Sequence, residues 1–277
     1  MSDPFKIDGP TCISFSGGRT SAYMLWRVLQ SNGGLPRDTV VLFANTGKEE
    51  EATLEFVRDC AERWSVPIIW LEYRAPAAYE AVDFGWASRK GEPFEALLKH
   101  RALLPNPPKR FCSQELKIRT MARLLKDIGM VETVGEGEFF AWVGIRADEQ
   151  RRAAKIDRER IPLVAAGIGA QEVGAFWRSQ PFDLGLPNMN GRTMHGNCDL
   201  CFLKPADQIQ SLIAEKPSRA TWWIRMEQEI PAMGRTTPDG SVFRMDRPDY
   251  AQIAQYAADQ TDAFGHDEEA IACFCGD

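Results

Sequence analysis

Unbroken apolar runs alternate along this chain with stretches whose apolar residues return every three or four positions. Thr11-Cys12-Ile13-Ser14 reads as a short strand, and two adjacent glycines turn it into a helix carrying Ala22, Leu25, Trp26 and Leu29, with Gly33 placed as its carboxyl-terminal cap. The run Thr39-Val40-Val41-Leu42-Phe43 has no polar alternation, which is the pattern of a parallel strand buried on both faces. A turn, Asn45 to Glu49, and a helix with Phe56, Val57, Cys60, Ala61 and Trp64 on one side follow it, and Pro67 to Tyr73 supplies a third strand. Residues 74–110 are less regular, and the proline-rich segment from Leu104 is read as a rigid loop that delivers Cys112. A helix is expected from Ser113 to Lys126, with Ile118, Met121, Leu125 and Ile128 on one face. Gly135 and Gly137 then lead into a fourth strand, Phe139 to Ile145.

Beyond Ile161-Pro162-Leu163-Val164 the pattern predicts a short helix with Val173, Phe176 and Trp177, an irregular stretch to Asn197, and a helix begun by Pro205 with Ile209, Leu212 and Ile213. Trp222, Trp223 and Met226 are expected in the core, and a last helix near Tyr250 to Ala258. Strands alternating with amphipathic helices predict an α/β fold, a Rossmann-like, doubly wound, mostly parallel sheet with a loop-rich, cysteine-bearing carboxyl-terminal region. No linker separates independent units; residues 1–195 are assigned to the sheet domain and 196–277 to a helical region packed on it.

Composition narrows the class. At 277 residues, 44% hydrophobic and 26% charged, the chain can bury a full α/β core. A formal charge of −6 argues against a surface devoted wholly to nucleic-acid phosphates and leaves room for a local basic patch. The start, Met-Ser-Asp-Pro-Phe-Lys, has no apolar signal core, and no apolar run approaches membrane-spanning length, so a cytoplasmic protein is expected.

Candidate chemistry gathers at the predicted strand ends. Ser14, Ser16, Gly17 and Gly18 close the first strand, followed by Arg19, Thr20 and Ser21 at the start of the helix. Consecutive amides in such a turn, together with the positive end of the helix, suit a phosphate, and glycine permits close backbone approach or a positive φ; the alternative is a plain tight turn. Asn45, Thr46 and Gly47 close the second strand, and Arg146, Glu149 and Arg152 follow the fourth, all on one edge of the sheet. Guanidinium groups there suit a tetrahedral anion, which they bind through forked donors.

Taken in order, Ser16-Gly17-Gly18, Asn45-Thr46-Gly47-Lys48-Glu49, Gly144-x-Arg146-x-x-Glu149-x-x-Arg152, Pro162-Leu163 before a Val-x-x-Phe-Trp helix, and Cys198-x-x-Cys201 resemble the phosphoadenylylsulfate (PAPS) reductase family. That family belongs to the adenine-nucleotide α-hydrolase-like, or PP-loop, superfamily, and the likeness is to its phage and bacterial type. The resemblance implies a PP-loop domain that binds an adenine nucleotide. Ser14 and the loop from Ser16 to Ser21 would take its phosphates, Asn45 to Gly47 the adenosine side, and Arg146, Glu149 and Arg152 the anionic end. ATP-cleaving members carry Asp where this chain has Thr20.

Two chemistries follow from the resemblance. One is an ATP- and Mg²⁺-dependent, adenylating sulfurtransferase that releases pyrophosphate; the other reduces a sulfonucleotide (PAPS or APS) and releases sulfite. A third reading is a non-catalytic nucleotide-binding partner with structural zinc. The partners these imply are a sulfur donor, thioredoxin or a nucleic-acid acceptor, with a homo-oligomer as the expected assembly.

Seven cysteines in a cytoplasmic chain point to metal ligands or a reactive thiol rather than a disulfide framework. Cys12 and Cys60 lie on apolar stripes and are expected in the core. Cys198-x-x-Cys201 can hold one metal, with Cys112 as third ligand and Cys273 or Cys275 as fourth. The resemblance implies a 4Fe–4S cluster, with zinc as the alternative. Cys275-Gly276 also resembles the catalytic tail of the reductases, so Cys275 is a candidate nucleophile beside Arg146 and Arg152. His195 is read as a loop hydrogen-bonding residue, and His100 and His266 carry no assigned role.

Overall fold

The computed structural model describes residues 3–132, 141–189, 192–234 and 237–259. The chain opens with β1 (Thr11–Ser14), α1 (Arg19–Asn32), β2 (Thr39–Asn45), α2 (Glu51–Trp64) and β3 (Ile68–Arg74). It continues with β4 (Ala78–Val82), α3 (Glu92–Arg101), α4 (Phe111–Ser113), α5 (Thr120–Asp127), β5 (Ala141–Val143), α6 (Gln150–Ala153), α7 (Pro162–Ala165) and α8 (Ala170–Ser179). A two-stranded ribbon, β6 (Asn188–Met189) with β7 (Arg192–Thr193), precedes α9 (Ala206–Glu215), α10 (Ala220–Ala232) and α11 (Tyr250–Asp259). Among the described residues no helix is long and apolar enough to cross a membrane.

The sheet order is β4-β3-β2-β1-β5. β3, β2, β1 and β5 run parallel, and β4 lies antiparallel on the edge, with Glu72 opposite Glu80. Alternate residues fill the two faces. Ile13, Val41 and Phe43 meet α1, α2 and α8, while Cys12, Leu42 and Ala44 meet Met121 and Leu125 of α5. Burial raises the Cys12 thiol to about 12 against the opposing charge of Arg160, and Cys60 is also fully buried, so both are core residues as the sequence predicts. Gly33 ends α1 in the left-handed region at φ 69°, its N–H donating to the Leu29 carbonyl.

Three parts depart from the sequence reading. Residues 74–110 contain β4 and α3, which were not anticipated. The prolines at 105, 107 and 108 hold the preceding residues out of helix, but helix begins directly after Arg110, so Cys112 sits in its first turn rather than in a loop. A π-helical stretch, Gln114–Arg119, then widens the turn. The expected apolar stripe is therefore split: Met121 and Leu125 are buried, whereas Ile118 and Ile128 are 42% and 47% exposed. Gly135, Gly137, Phe139, Cys273 and Cys275 lie outside the described residues.

A second core joins Tyr73, Phe94, Leu97 and Leu116 to Leu200, Phe202, Trp223 and Tyr250. Here Glu227 accepts the backbone N–H groups of Phe243 (3.2 Å) and Tyr250 (2.9 Å), the latter the first residue of α11. Burial pushes this carboxyl up to about 6 from 4.5. A carboxyl raised in the fold adds stability below its unfolded pKa and loses it as pH rises through the folded value, a change of about 2 kcal/mol. The melting temperature should therefore fall between pH 5 and pH 7, and Glu227→Gln should flatten that difference. Equal slopes in the two proteins, followed by circular dichroism, would contradict this.

Candidate functional site

β1 leads to β2 and β3 on one side, and the chain returns to β5 on the other, so the topological switch point lies between the carboxyl ends of β1 and β5. The loop after β1 is closed by its own hydroxyls. Ser21 Oγ accepts from the Ser16 amide (3.2 Å) and lies 3.0 Å from Ser16 Oγ, and it donates to the Gly18 carbonyl (3.0 Å). Gly17 has φ 79°, so it occupies the region an L side chain disfavours. Gly144, just past β5, is pressed on α1: a Cβ there would lie 2.8 Å from Ser21 Cα. The two strand ends meet through Arg146, whose Nη1 donates to Thr20 Oγ1 at 3.4 Å.

The segment after β5 folds into a compact charged turn. Glu149 accepts the Arg146 amide (2.9 Å) and pairs with Arg152 Nη1, and Asp148 accepts from Arg146 Nε at 3.2 Å. Arg152 is 9% exposed, and its Nε and Nη2 are buried without a hydrogen-bond partner among the described residues. Burying guanidinium donors unpaired is costly, and a bound anion satisfies them.

Arg19 is committed elsewhere. It grips Asp183 in a fork and donates to the Leu186 carbonyl (2.9 Å), tying the segment before β6 to the start of α1. This pairing holds the Asp183 carboxyl below the usual range against the opposing effect of burial. An open cleft lined by Arg19, Ala147, Asp148, Gly169, Trp177 and Asp183 runs along this side.

The end of β2 makes a second constellation. Asn45 donates to Glu72 (2.7 Å) and the Ser88 carbonyl (2.9 Å), and its Oδ1 accepts the Gly47 amide (3.0 Å). Glu49 turns back on Thr46, accepting its amide at 3.0 Å. Gly47 has φ 76°, and a Cβ there would press on the Gly91 backbone at 3.0 Å.

The Cys198-x-x-Cys201 turn docks on this strand end. Thr46 Oγ1 is 3.6 Å from Cys198 Sγ, Asp199 donates its amide to the Lys48 carbonyl (2.7 Å), and Lys48 Nζ pairs with Asp199 at 2.8 Å. Trp223 Nε1 also donates to Asp199 (2.8 Å), and Lys204 ties down the carbonyls of Gly196 and Cys198. Cys112, Cys198 and Cys201 line one pocket with Thr46, Lys117 and Trp223. The three thiols singled out from the sequence thus share a pocket beside the end of β2. Among the described residues, however, no group of three His, Cys, Asp or Glu side chains is drawn together as a metal-ligand set.

The family model of the phosphoadenosine phosphosulfate reductase domain matches residues 10–163, more than half of the chain. This chain belongs to that family. An uncharacterized nin region protein of Escherichia phage lambda is 31% identical over 206 residues, which are 71% of this chain and 67% of that protein. An uncharacterized protein of Methanocaldococcus jannaschii is 29% identical over 166 residues, 60% of this chain but 29% of its own length. The phosphoadenosine phosphosulfate reductase match covers the β1 loop, the β2 end and the Arg146–Arg152 turn, and it stops before the Cys198-x-x-Cys201 turn.

Sequence reasoning missed several participants. Lys48 and Lys117 were not singled out as site residues. Lys48 belongs to the Asn45–Glu49 motif and Lys117 lies five residues after Cys112, and those positions were the available signal. Asp183, Asp199 and Glu72 meet their partners across long sequence separations, and no local pattern marks them. His195 behaves as a hydrogen-bonding residue, with Nε2 2.7 Å from Glu215.

Proposed function

We propose that this protein is an adenine-nucleotide-binding enzyme of sulfur chemistry, an ATP-dependent, adenylating sulfurtransferase. The observation that supports it is a buried Arg152 whose Nε and Nη2 have no hydrogen-bond partner among the described residues, next to Arg146 at the switch point, close to the loop of Ser14, Ser16, Gly17 and Gly18. The amides of that loop and the helix start at Arg19, Thr20 and Ser21 would face the pyrophosphate of ATP, with Mg²⁺ sharing its charge. Arg146 and Arg152, oriented by Glu149, would neutralise charge that develops as an acceptor oxygen attacks the α-phosphorus and pyrophosphate leaves. A sulfur nucleophile then adds to the activated carbon and AMP departs. Asn45, Thr46 and Gly47 would hold the adenosine side and bring it to the thiol pocket.

The donor set of that pocket suits a thiophilic group. Cys112, Cys198 and Cys201 would hold a 4Fe–4S cluster, or zinc in its place, completed by Cys273 or Cys275 of the tail. When bound, such a cluster would stabilise or transfer sulfur. Cys112→Ser, Cys198→Ser and Cys201→Ser should each lose visible absorbance, iron and sulfide in protein purified without oxygen, while Cys12→Ser and Cys60→Ser keep them. Wild-type protein that is colourless and holds neither iron nor zinc would remove the metal from this reading.

Pyrophosphate release that needs ATP, Mg²⁺ and an acceptor is the expected activity. Sulfite formed from PAPS or APS with thioredoxin and no ATP would replace it with sulfonucleotide reduction, in which Cys275 would be the attacking thiol. Nucleotide binding with neither product would leave the non-catalytic reading.

A further inference from the structure

Charge is distributed unevenly in this acidic protein. The 28 residues from 99 to 126 hold eight Lys or Arg and one acid, against 25 Lys or Arg and 38 acids in the rest of the chain. That one acid, Glu115, is buried and already encircled. Arg101 pairs with its Oε1, Arg119 approaches at 2.7 Å and Arg123 at 3.4 Å, so three guanidinium groups converge on one carboxylate. The arginines hold its carboxyl below the usual range despite burial, so it remains charged and the cluster keeps a net positive charge of two at neutral pH. One further donor, Arg123 Nη1, is buried without a hydrogen-bond partner among the described residues.

Arg101, which pairs with Glu115, is exposed, and so are Lys109 and Lys126 of the same 99–126 stretch. The patch also adjoins the thiol pocket, because Cys112, Ser113, Leu116 and Lys117 of the same continuous helix line that pocket. Screening in physiological salt acts over about 8 Å, so a polyanion at this face experiences the local excess rather than the chain's total of −6.

We infer that the face built by the end of α3, the 102–110 loop and the helix from Phe111 to Asp127 binds the phosphodiester backbone of a nucleic acid and presents one of its nucleotides to the pocket of Cys112, Cys198 and Cys201. The inference rests on the reading of this site as a sulfur-transfer centre, whose acceptor it names by class. Phosphates are recognised by clustered guanidinium and ammonium groups with few competing carboxylates, and from Lys99 to the end of this helix the acids are the buried Glu115 and the terminal Asp127 against eight Lys or Arg. Specific binding of a small metabolite would not call for so wide a charged surface around so small a pocket.

The test uses fluorescence anisotropy of the full chain with labelled 20-nucleotide RNA and DNA of one sequence, each over a salt series. Wild-type protein should bind at least one of them, with affinity falling steeply as salt rises. Lys109→Gln combined with Lys126→Gln, both at exposed positions, should weaken binding about tenfold and lower the slope of log affinity against log salt by roughly 1.4 to 1.8, since each lost phosphate contact contributes about 0.7 to 0.9. Adding Arg119→Gln should weaken it further, and Lys216→Gln, an exposed lysine after α9 that is no part of this face, should change nothing. ATP affinity should be the same in all variants, as none of these residues lies at the strand ends. A preference for RNA over DNA, or the reverse, identifies the acceptor. No salt-sensitive binding of either, or unchanged binding in the double variant, overturns the inference. Loss of ATP turnover in wild-type protein that still binds nucleic acid would sink the enzymatic reading and leave the surface standing.

Discussion

Gly17→Ala should cost the fold roughly 2–5 kcal/mol and remove detectable ATP binding, because a side chain there is opposed twice. The residue holds φ 79°, where an alanine is strained. Its Cβ would also lie 2.6 Å from Thr53 Cγ2 and 3.2 Å from Phe43 and Val57, the packed contact between β2 and α2. Glycine is therefore required by the helix behind the loop as well as by any phosphate in front of it. Thr53→Ser deletes the nearest methyl, so Gly17→Ala with Thr53→Ser should recover part of the stability while the loop, still strained, binds ATP weakly. Chemical denaturation and calorimetry separate the two effects. Unchanged stability in the single variant would show that the loop yields at no cost, and wild-type ATP affinity would take it out of the site.

Arg152→Gln should have the opposite profile. Two buried nitrogens of this guanidinium have no hydrogen-bond partner among the described residues, and Glu149 keeps its bond from the Arg146 amide at 2.9 Å when Arg152 is lost. Thermal stability without nucleotide should therefore change little. Affinity for ATP should drop by about 1.5–3 kcal/mol, on the order of 10- to 100-fold, the loss expected for one charge-assisted hydrogen-bonding group. A large loss of stability with unchanged affinity would mean that Arg152 serves the turn itself and meets no nucleotide.

The parts of the fold that could be read in advance are those buried on both faces. Val40 to Phe43 and the Phe56–Cys60 stripe have patterns that only a packed strand or helix explains. β4 was invisible because it is an exposed edge strand, held by its ladder to β3 rather than by an apolar face. The π stretch escaped because a 3.6-residue period was assumed through Ile118, and one wider turn rotates that residue outward. Within the site, the glycines, hydroxyls and arginines at strand ends were legible since topology places strand ends together. The use of Arg19 was not, as its partner Asp183 lies 164 residues away. Nor did spacing reveal that Cys112 would start a helix, a matter settled by where the prolines stop.

Lys48 belongs to the stretch that matches the family, yet what buries it comes from beyond that stretch: Asp199 at 2.8 Å and the Trp222 ring 5.2 Å from its ammonium. The nucleotide half and the thiol half are thus not interchangeable modules. A graft of another relative's carboxyl-terminal third onto residues 10–163 would have to carry a carboxylate and an indole to that same place. Without them it would enclose a bare ammonium group at the end of β2.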